Sequence, residues 1–238
     1  MKILAIDSSG LVASVAIISD KELIGEYTIN YKKTHSQTLL PMLDAVVKMV
    51  ELDLKEIDAI AVAKGPGSFT GLRIGSSTAK GLGLALNKPI IEIPTVDGLA
   101  YNIGFTDYMI CPLMDAKRNQ VYTGLYEYID GKFSVIKQEC AVALSEIIQE
   151  INEKGRKVIF LGDGVPVYKE QIEQVITVAH EYSPAHLARQ RAGAIGALAC
   201  RYYEEGTMVN ARDHKPEYLR LSQAERELAE KNAAKKSQ

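Results

Sequence analysis

The stretch AKGPGSFTGLRIGSSTAKGLGLAL, Ala63 to Leu86, constrains this chain more than any other part of it. It joins an apolar run, IDAIAVAKG, to a helix that opens behind a glycine-rich turn, and a strand feeding a helix in this way is the repeating unit of α/β architecture. Glycine-rich turns at helix N-termini also bind phosphate, because bare amides and the helix dipole converge on the anion. Here Gly71 is followed by Leu72 and Arg73, where a phosphate-binding P-loop needs a lysine and a hydroxyl residue. The helix carries instead a row of small residues, Gly71, Gly75, Ala79 and Gly83, one every four positions. Such a row makes a ridge on which a second backbone can lie close.

The segments around it read in the same style. KILAID and VASVAII, separated by SSG, are two paired strands, and GEYTINY is a third. From His35 to Val50 the apolar residues Leu39, Leu40, Leu43, Val46, Val47 and Val50 fall at a helical period, with Pro41 tolerated only near the first turn. KPIIEIP is a strand and TVDGLAYNI begins a third helix, so the first lobe runs β-β-β-α-β-α-β-α. A meander of strands follows over YMICPLMDAKRNQVYTGLYEYIDGKFSVIKQECAV, with a turn at Asp130 and Gly131. LSEIIQEINEKG is a helix closing on Gly155, KVIFLGDG a strand and PVYKEQIEQV a helix. SPAHLARQRAGAIGALACRYYEEG reads as one long helix capped by Ser183, with Pro184 in its first turn. The expected organisation is a lobe over residues 1–105, a second α/β lobe over 106–221 ending in that long helix, and a solvated tail over 222–238. In the tail Ser222 and Glu225 form a capping box, but Leu228 is the one large apolar residue. No internal repeat is evident in the residues. Two α/β lobes of this kind are consistent with an actin-like arrangement.

Composition removes several function classes. Twenty-eight Lys and Arg against 30 Asp and Glu give a net charge of −2, which supplies no long-range field for nucleic acid, so an RNA role needs a partner. Cys111, Cys140 and Cys200 are odd in number and far apart, which suggests neither a disulfide framework nor a zinc site and fits a reducing cytoplasm. MKILAIDSSG reaches an acidic residue too soon for a signal-peptide core, and no apolar run approaches the roughly 18 residues of a membrane span.

Candidate sites are few. Asp7, Ser8, Ser9 and Gly10 form the DSSG turn, which is either a weak ATP and magnesium site or simply a capped hairpin turn. The histidines His35, His180, His186 and His214 are scattered with no two four apart, so no local metal pair exists, and His35 reads as a helix-start residue. There is no GxSxG and no cysteine in an activating context. In the first helix, Leu39 through Val50 cover an arc of about 180°, wider than the roughly 100° stripe of a surface helix, so more than one sheet must cover it. Intramolecular packing of helices one and two against each other is one way to do so. Lys117 and Arg118, with the tail lysines Lys231, Lys235 and Lys236, are available to RNA phosphates or to solvent.

The combination of ILAIDSS, HSQTLLPML, GPGSFTGLRIG, DAKRNQVY and PEYLR resembles the TsaB (YeaZ) family, from Ile3 to about Arg220. The resemblance implies a two-lobed α/β fold of the acetate kinase, sugar kinase, Hsp70 and actin type. It implies a non-catalytic scaffold subunit, without cofactor or metal of its own, that pairs with a catalytic paralogue, TsaD, and helps recruit the ATPase TsaE. Together these serve threonylcarbamoyl transfer to the tRNA adenosine beside the anticodon. It implies contact with TsaD through helices one and two, hence a candidate interface of Leu39, Leu43, Val46, Gly71, Leu72, Gly75, Ala79 and Gly83, and it leaves a homodimer of the free chain open. The paired metal-binding histidines of the TsaD family correspond here to Thr95 and Leu99, and leucine ligates no metal. An ATP-dependent phosphotransferase of the sugar-kinase class and a metallopeptidase are the rival readings.

Overall fold

The structure, a computed structural model, describes residues 1–220; the tail expected over 222–238 lies outside the described residues. The chain runs β1 (Lys2–Asp7), β2 (Ala13–Ser19), β3 (Glu22–Ile29), α1 (His35–Met49), β4 (Ala59–Gly65), α2 (Phe69–Leu86), β5 (Ile90–Pro94) and α3 (Thr95–Ala100). It continues as β6 (Met109–Asp115), β7 (Gln120–Ile129), β8 (Lys132–Ala143), α4 (Leu144–Lys154), β9 (Val158–Leu161), α5 (Val165–Val175), β10 (His180–Tyr182) and α6 (Ala192–Glu204). The first sheet has the order β3-β2-β1-β4-β5 and the second β10-β9-β6-β7-β8. In each, the first three strands pair antiparallel in succession, the fourth joins parallel to the first, and the fifth joins parallel to the fourth. The same β-β-β-α-β-α-β-α order is therefore used twice, a repeat of topology that the residues do not display. This is the two-lobed actin-like fold.

The first sheet is covered on both faces, which is why β1 and β4 read as unbroken apolar runs. Alternation along β1 divides the work. Leu4 and Ile6 face Leu39, Met42, Leu43 and Val46 of α1 and Ala79 of α2. Ile3 and Ala5 face the opposite core with Ala192, Ile195, Leu198 and Ala199 of α6. Pro41 sits in the second turn of α1, beyond the first turn where it was expected, and it is exposed along with Gln37, whose carbonyl loses its helical donor to the proline. α2 starts at a Ser68 cap that accepts from the Gly71 amide and stops at Asn87, which is left-handed with φ 53°.

The expected long helix from Ser183 does not form. His180–Tyr182 is a short strand parallel to β9, and the helix begins only at Ala192. The reason lies in the backbone groups between: the Ser183 amide donates to Phe160, the Ala188 carbonyl accepts from Gly162, and the Asn102 side chain donates to the carbonyls of Leu187 and Arg189. Tertiary bonds occupy the groups a helix would have used.

The third helices are exchanged between the lobes. α6 follows the second sheet yet packs on the first, while Val96, Leu99 and Ala100 of α3, which follows the first sheet, share a core with Ile110, Met114, Tyr126 and Leu161 of the second. The two lobes hold each other's caps. We expect Ile195→Ala, at a position with no exposed surface, to destabilise the whole protein by about 2 to 5 kcal/mol, read as a lower urea midpoint. Because α6 closes the first sheet, the transition should stay single, whereas loss confined to the second lobe would split it.

Candidate functional site at the interlobe cleft

A cleft of about 740 Å³ lies between the lobes, bounded by Ser9, Gly10 and Leu11, by the start of α2, and by Asp115, Ala116 and Lys117. Its floor is the DSSG turn. Asp7, Ser8 and Ser9 are almost fully buried. The Asp7 carboxylate accepts from both the amide (2.9 Å) and hydroxyl (2.6 Å) of Ser9, and the Ser8 hydroxyl donates to the Gly71 carbonyl at 2.8 Å. The Ser68 amide in turn donates to the Ser9 carbonyl at 2.7 Å. Burial pushes the Asp7 carboxyl up to about 6, against the opposing pull of the Ser9 bonds and of His35. Gly10 is held on both sides, its carbonyl 2.8 Å from His35 Nε2 and its α-carbon against the buried Gln190 amide. His35 does begin α1, as its position suggested.

The glycine-rich stretch is explained by this contact. A methyl group built on Gly71 would stand 2.1 Å from the Ser8 carbonyl oxygen, and one on Gly67 would stand 2.3 Å from that of Ser9. The glycines admit the chain's own β1–β2 turn where a P-loop would admit a phosphate.

The eight residues expected to meet a partner do not face outward. Leu39, Leu43, Val46, Gly71, Leu72, Gly75, Ala79 and Gly83 are all buried in the described chain. Gly75 lies against the Ser8 hydroxyl and Gly83 against Ala211. The small ridge packs inside its own lobe, and the apolar surplus of α1 is absorbed by the first sheet and α2. The outward faces of the two helices carry other residues: Gln37, Leu40 and Asp44 on α1, and Thr70, Ser77, Gly81, Leu84 and Ala85 on α2. Ser77, Gly81 and Ala85 form a second small row at the same spacing, legible in the sequence but overlooked beside the glycines.

A polar cluster that no sequence pattern announced lies at the lobe junction. The buried Asp97 of α3 accepts from the Tyr126 hydroxyl of β7 at 2.6 Å, and Lys64 of β4 pairs with Glu217 at 2.6 Å. Glu139 of β8 joins them with one carboxyl oxygen buried and unpartnered, and burial, together with the Asp97 charge, pushes it up to about 8. The segment after α6 runs back over the first lobe: Val209 pairs with Ile90, and His214 bridges Glu92 (2.7 Å) and Ser76 (3.0 Å). Its last described residue, Arg220, donates to the Ala116 carbonyl of the second lobe. Thr95 and Leu99, which the family resemblance sets against the histidine positions of TsaD, are buried in α3. Among the described residues no three His, Cys, Asp or Glu side chains gather in a metal-binding arrangement, and no helix is long and apolar enough to cross a membrane.

A family model described as TsaD, tRNA N6-adenosine threonylcarbamoyltransferase, matches residues 22–228. The tRNA threonylcarbamoyladenosine biosynthesis protein TsaB of Bacillus subtilis is 34% identical over 225 residues, 94% of this chain and 96% of that one. The chain belongs to this family, as a TsaB-type member. The TsaB of Escherichia coli is 28% identical over 96% of this chain and 98% of its own. A Pseudomonas aeruginosa crystal structure, described as an uncharacterized protein with similarity to peptidase YEAZ, superposes with a TM-score of 0.80 at 26% identity, over 92% of this chain and 99% of that one.

Gly71→Ala should destabilise the protein by about 1 to 3 kcal/mol through collision with the Ser8 backbone. Gly81→Ala, whose added methyl meets nothing within 4 Å, should stabilise it by up to about 1 kcal/mol; thermal unfolding of the pair checks the contrast. Glu139 is raised from 4.5 to about 8 in the folded state, so its proton stabilises the fold fully below pH 4.5 and that contribution is lost as pH rises to 8. Asp7, raised only to about 6, acts lower in the range. Glu139→Gln should therefore flatten the fall in melting temperature across about pH 4.5 to 8, leaving below pH 6 only a smaller fall to which Asp7 contributes.

Proposed function

We propose that this chain acts in tRNA threonylcarbamoyladenosine biosynthesis as a non-catalytic scaffold. It pairs with TsaD through the outer faces of α1 and α2, helps recruit TsaE, and works in the cytoplasm. Similarity to TsaB proteins over almost the whole length supports the pathway. The observation that carries the scaffold role is the filling of the glycine-rich turn by Ser8 and Ser9: the amides and space that a phosphate-handling enzyme would keep open serve the chain's own packing.

The outer faces of α1 and α2 suit a close helix-to-helix contact. Ser77, Gly81 and Ala85 leave the α2 backbone accessible, and Leu40 (56% exposed) and Leu84 (49% exposed) supply apolar anchors beside them. A metallopeptidase reading would need ligands that Thr95 and Leu99 do not provide, and both are packed into the core of α3.

Gly81→Arg separates partner binding from folding. Its side chain has open space in the free chain, so the melting temperature should hold, while affinity for TsaD from the same organism should fall at least tenfold, read by size-exclusion with light scattering. Unchanged affinity would move the contact off these helices. Failure of the unaltered chain to form any complex with TsaD would remove the scaffold reading.

A further inference from the structure

The charges around the interlobe cleft are sorted by depth. Asp7 lies under the floor, and Asp115 and Asp163 line the walls. At the mouth the sign reverses: Lys32 and Lys33 line the cleft from the β3–α1 loop of the first lobe, and Lys117 lines it from the β6–β7 hairpin of the second. Arg118 is the next residue of that hairpin, and Lys32, Lys33 and Arg118 are all exposed. Lys117 pairs with Asp115 at 2.6 Å while its side chain remains 82% exposed. The side chains of Lys32, Lys33 and Arg118 have no ion-pair or hydrogen-bond partner among the described residues, as is true of Lys55, Lys88 and Lys132 elsewhere; the rim differs in that Lys32, Lys33 and Lys117 line one cleft from both lobes.

The hairpin that carries Lys117 and Arg118 is held in an unusual form. Lys117, Arg118 and Asn119 are all left-handed, with φ of 63°, 58° and 56°, a region that residues with side chains adopt at a cost. The Asp115 carboxylate fixes the turn by accepting from the Lys117 amide at 2.8 Å, and the Asn119 carbonyl accepts from Leu144. Across the mouth the β3–α1 loop adds Tyr31, 69% exposed, beside its two lysines.

We propose that this rim, Lys32 and Lys33 on one lobe and Lys117 and Arg118 on the other, is a contact surface for the phosphates of an RNA strand lying across the cleft mouth. The acidic walls repel phosphate from the interior, so the cations serve a polyanion that spans the mouth and leave a small anion no route inward. Tyr31 offers a ring for a base at the same edge. With a net charge of −2 the chain attracts RNA only through such a local patch, which fits a tRNA delivered to it within a complex. The inference rests on the reading above that this chain serves tRNA modification with TsaD.

The test compares tRNA binding by the complex with TsaD, from about 50 to 200 mM salt, for the unaltered chain and for Lys32→Glu/Lys33→Glu/Arg118→Glu. A control with the same change in net charge, Lys55→Glu/Lys88→Glu/Lys132→Glu, alters three lysines that do not line the cleft. We expect the rim variant to assemble normally, to bind tRNA at least tenfold more weakly, and to show a slope of log affinity against log salt shallower by roughly 2 to 3, as three lost phosphate contacts require. The control should lose little. Equal losses in both variants, or unchanged affinity in an intact rim-variant complex, would overturn the proposal. So would release of tRNA by stoichiometric magnesium ATP, which would make the cleft a nucleotide site. Failure of the unaltered chain to assemble would count against the scaffold reading instead, and the rim would then be judged by the same comparison on the chain alone.

Discussion

The seating of the β1–β2 turn on α2 is the contact on which the rest of the first lobe depends. Ser8 and Ser9 lie so close to the helix that glycine is required at 67 and 71, and the bonds from Ser8 to Gly71 and from Ser68 to Ser9 close the gap from both sides. This fixes the start of α2 relative to β1, and through β1 relative to the whole sheet. It also decides which way the helix faces. With Gly71, Gly75, Ala79 and Gly83 turned inward, Ser77, Gly81 and Ala85 must turn out. Loss of the inner fit would rotate or lift the helix and alter the outer face at once, so the internal packing and the external surface are one design.

The exchange of third helices joins this lobe to the other. α6 covers the first sheet and α3 enters the core of the second, so neither lobe completes its hydrophobic interior alone. Further ties cross the junction: Tyr126 to Asp97, Asn102 to the carbonyls of Leu187 and Arg189, and Arg220 to Ala116. Each would have to stretch if the lobes swung apart. A hinged enzyme uses that motion to admit and release substrate, whereas a scaffold gains from suppressing it, because rigid surfaces lose less entropy on binding.

Much of this was legible from residue order, and the limits are physical. The strands and most helices are readable because their apolar periods differ and because Gly155 and the Asp130–Gly131 turn punctuate them. The long helix from Ser183 was misread because periodicity is blind to tertiary hydrogen bonds, and Asn102, eighty-odd residues away, holds that backbone in a loop. The small-residue ridge was recognised, but its direction was not. A close-approach ridge looks the same whether its neighbour is another chain or the chain's own turn, and only the position of Ser8 decides. The Asp97, Glu139 and Lys64 cluster had no signal at all, since its members come from three separate elements and their environment exists only after folding.

Asp7 serves its own turn and not the open cleft. It stands at the end of β1 as Asp115 stands at the end of β6, one beneath the floor of the cleft and the other in its wall, where the doubled topology places them. Asp115 still reaches the cleft lining and holds the Lys117 hairpin, while Asp7 is sealed beneath Ser9 and is raised to about 6 by the loss of water. Burying a carboxylate opposes stability at neutral pH, and the two Ser9 bonds recover only part of that cost. What the arrangement retains is a turn shape, because the Ser9 amide and hydroxyl converge on one carboxylate oxygen and set the backbone that the α2 glycines receive. Asp7 works here as the pin of a packed turn, and the charged groups that line the open cleft are Asp115 and Asp163 with Lys32, Lys33 and Lys117.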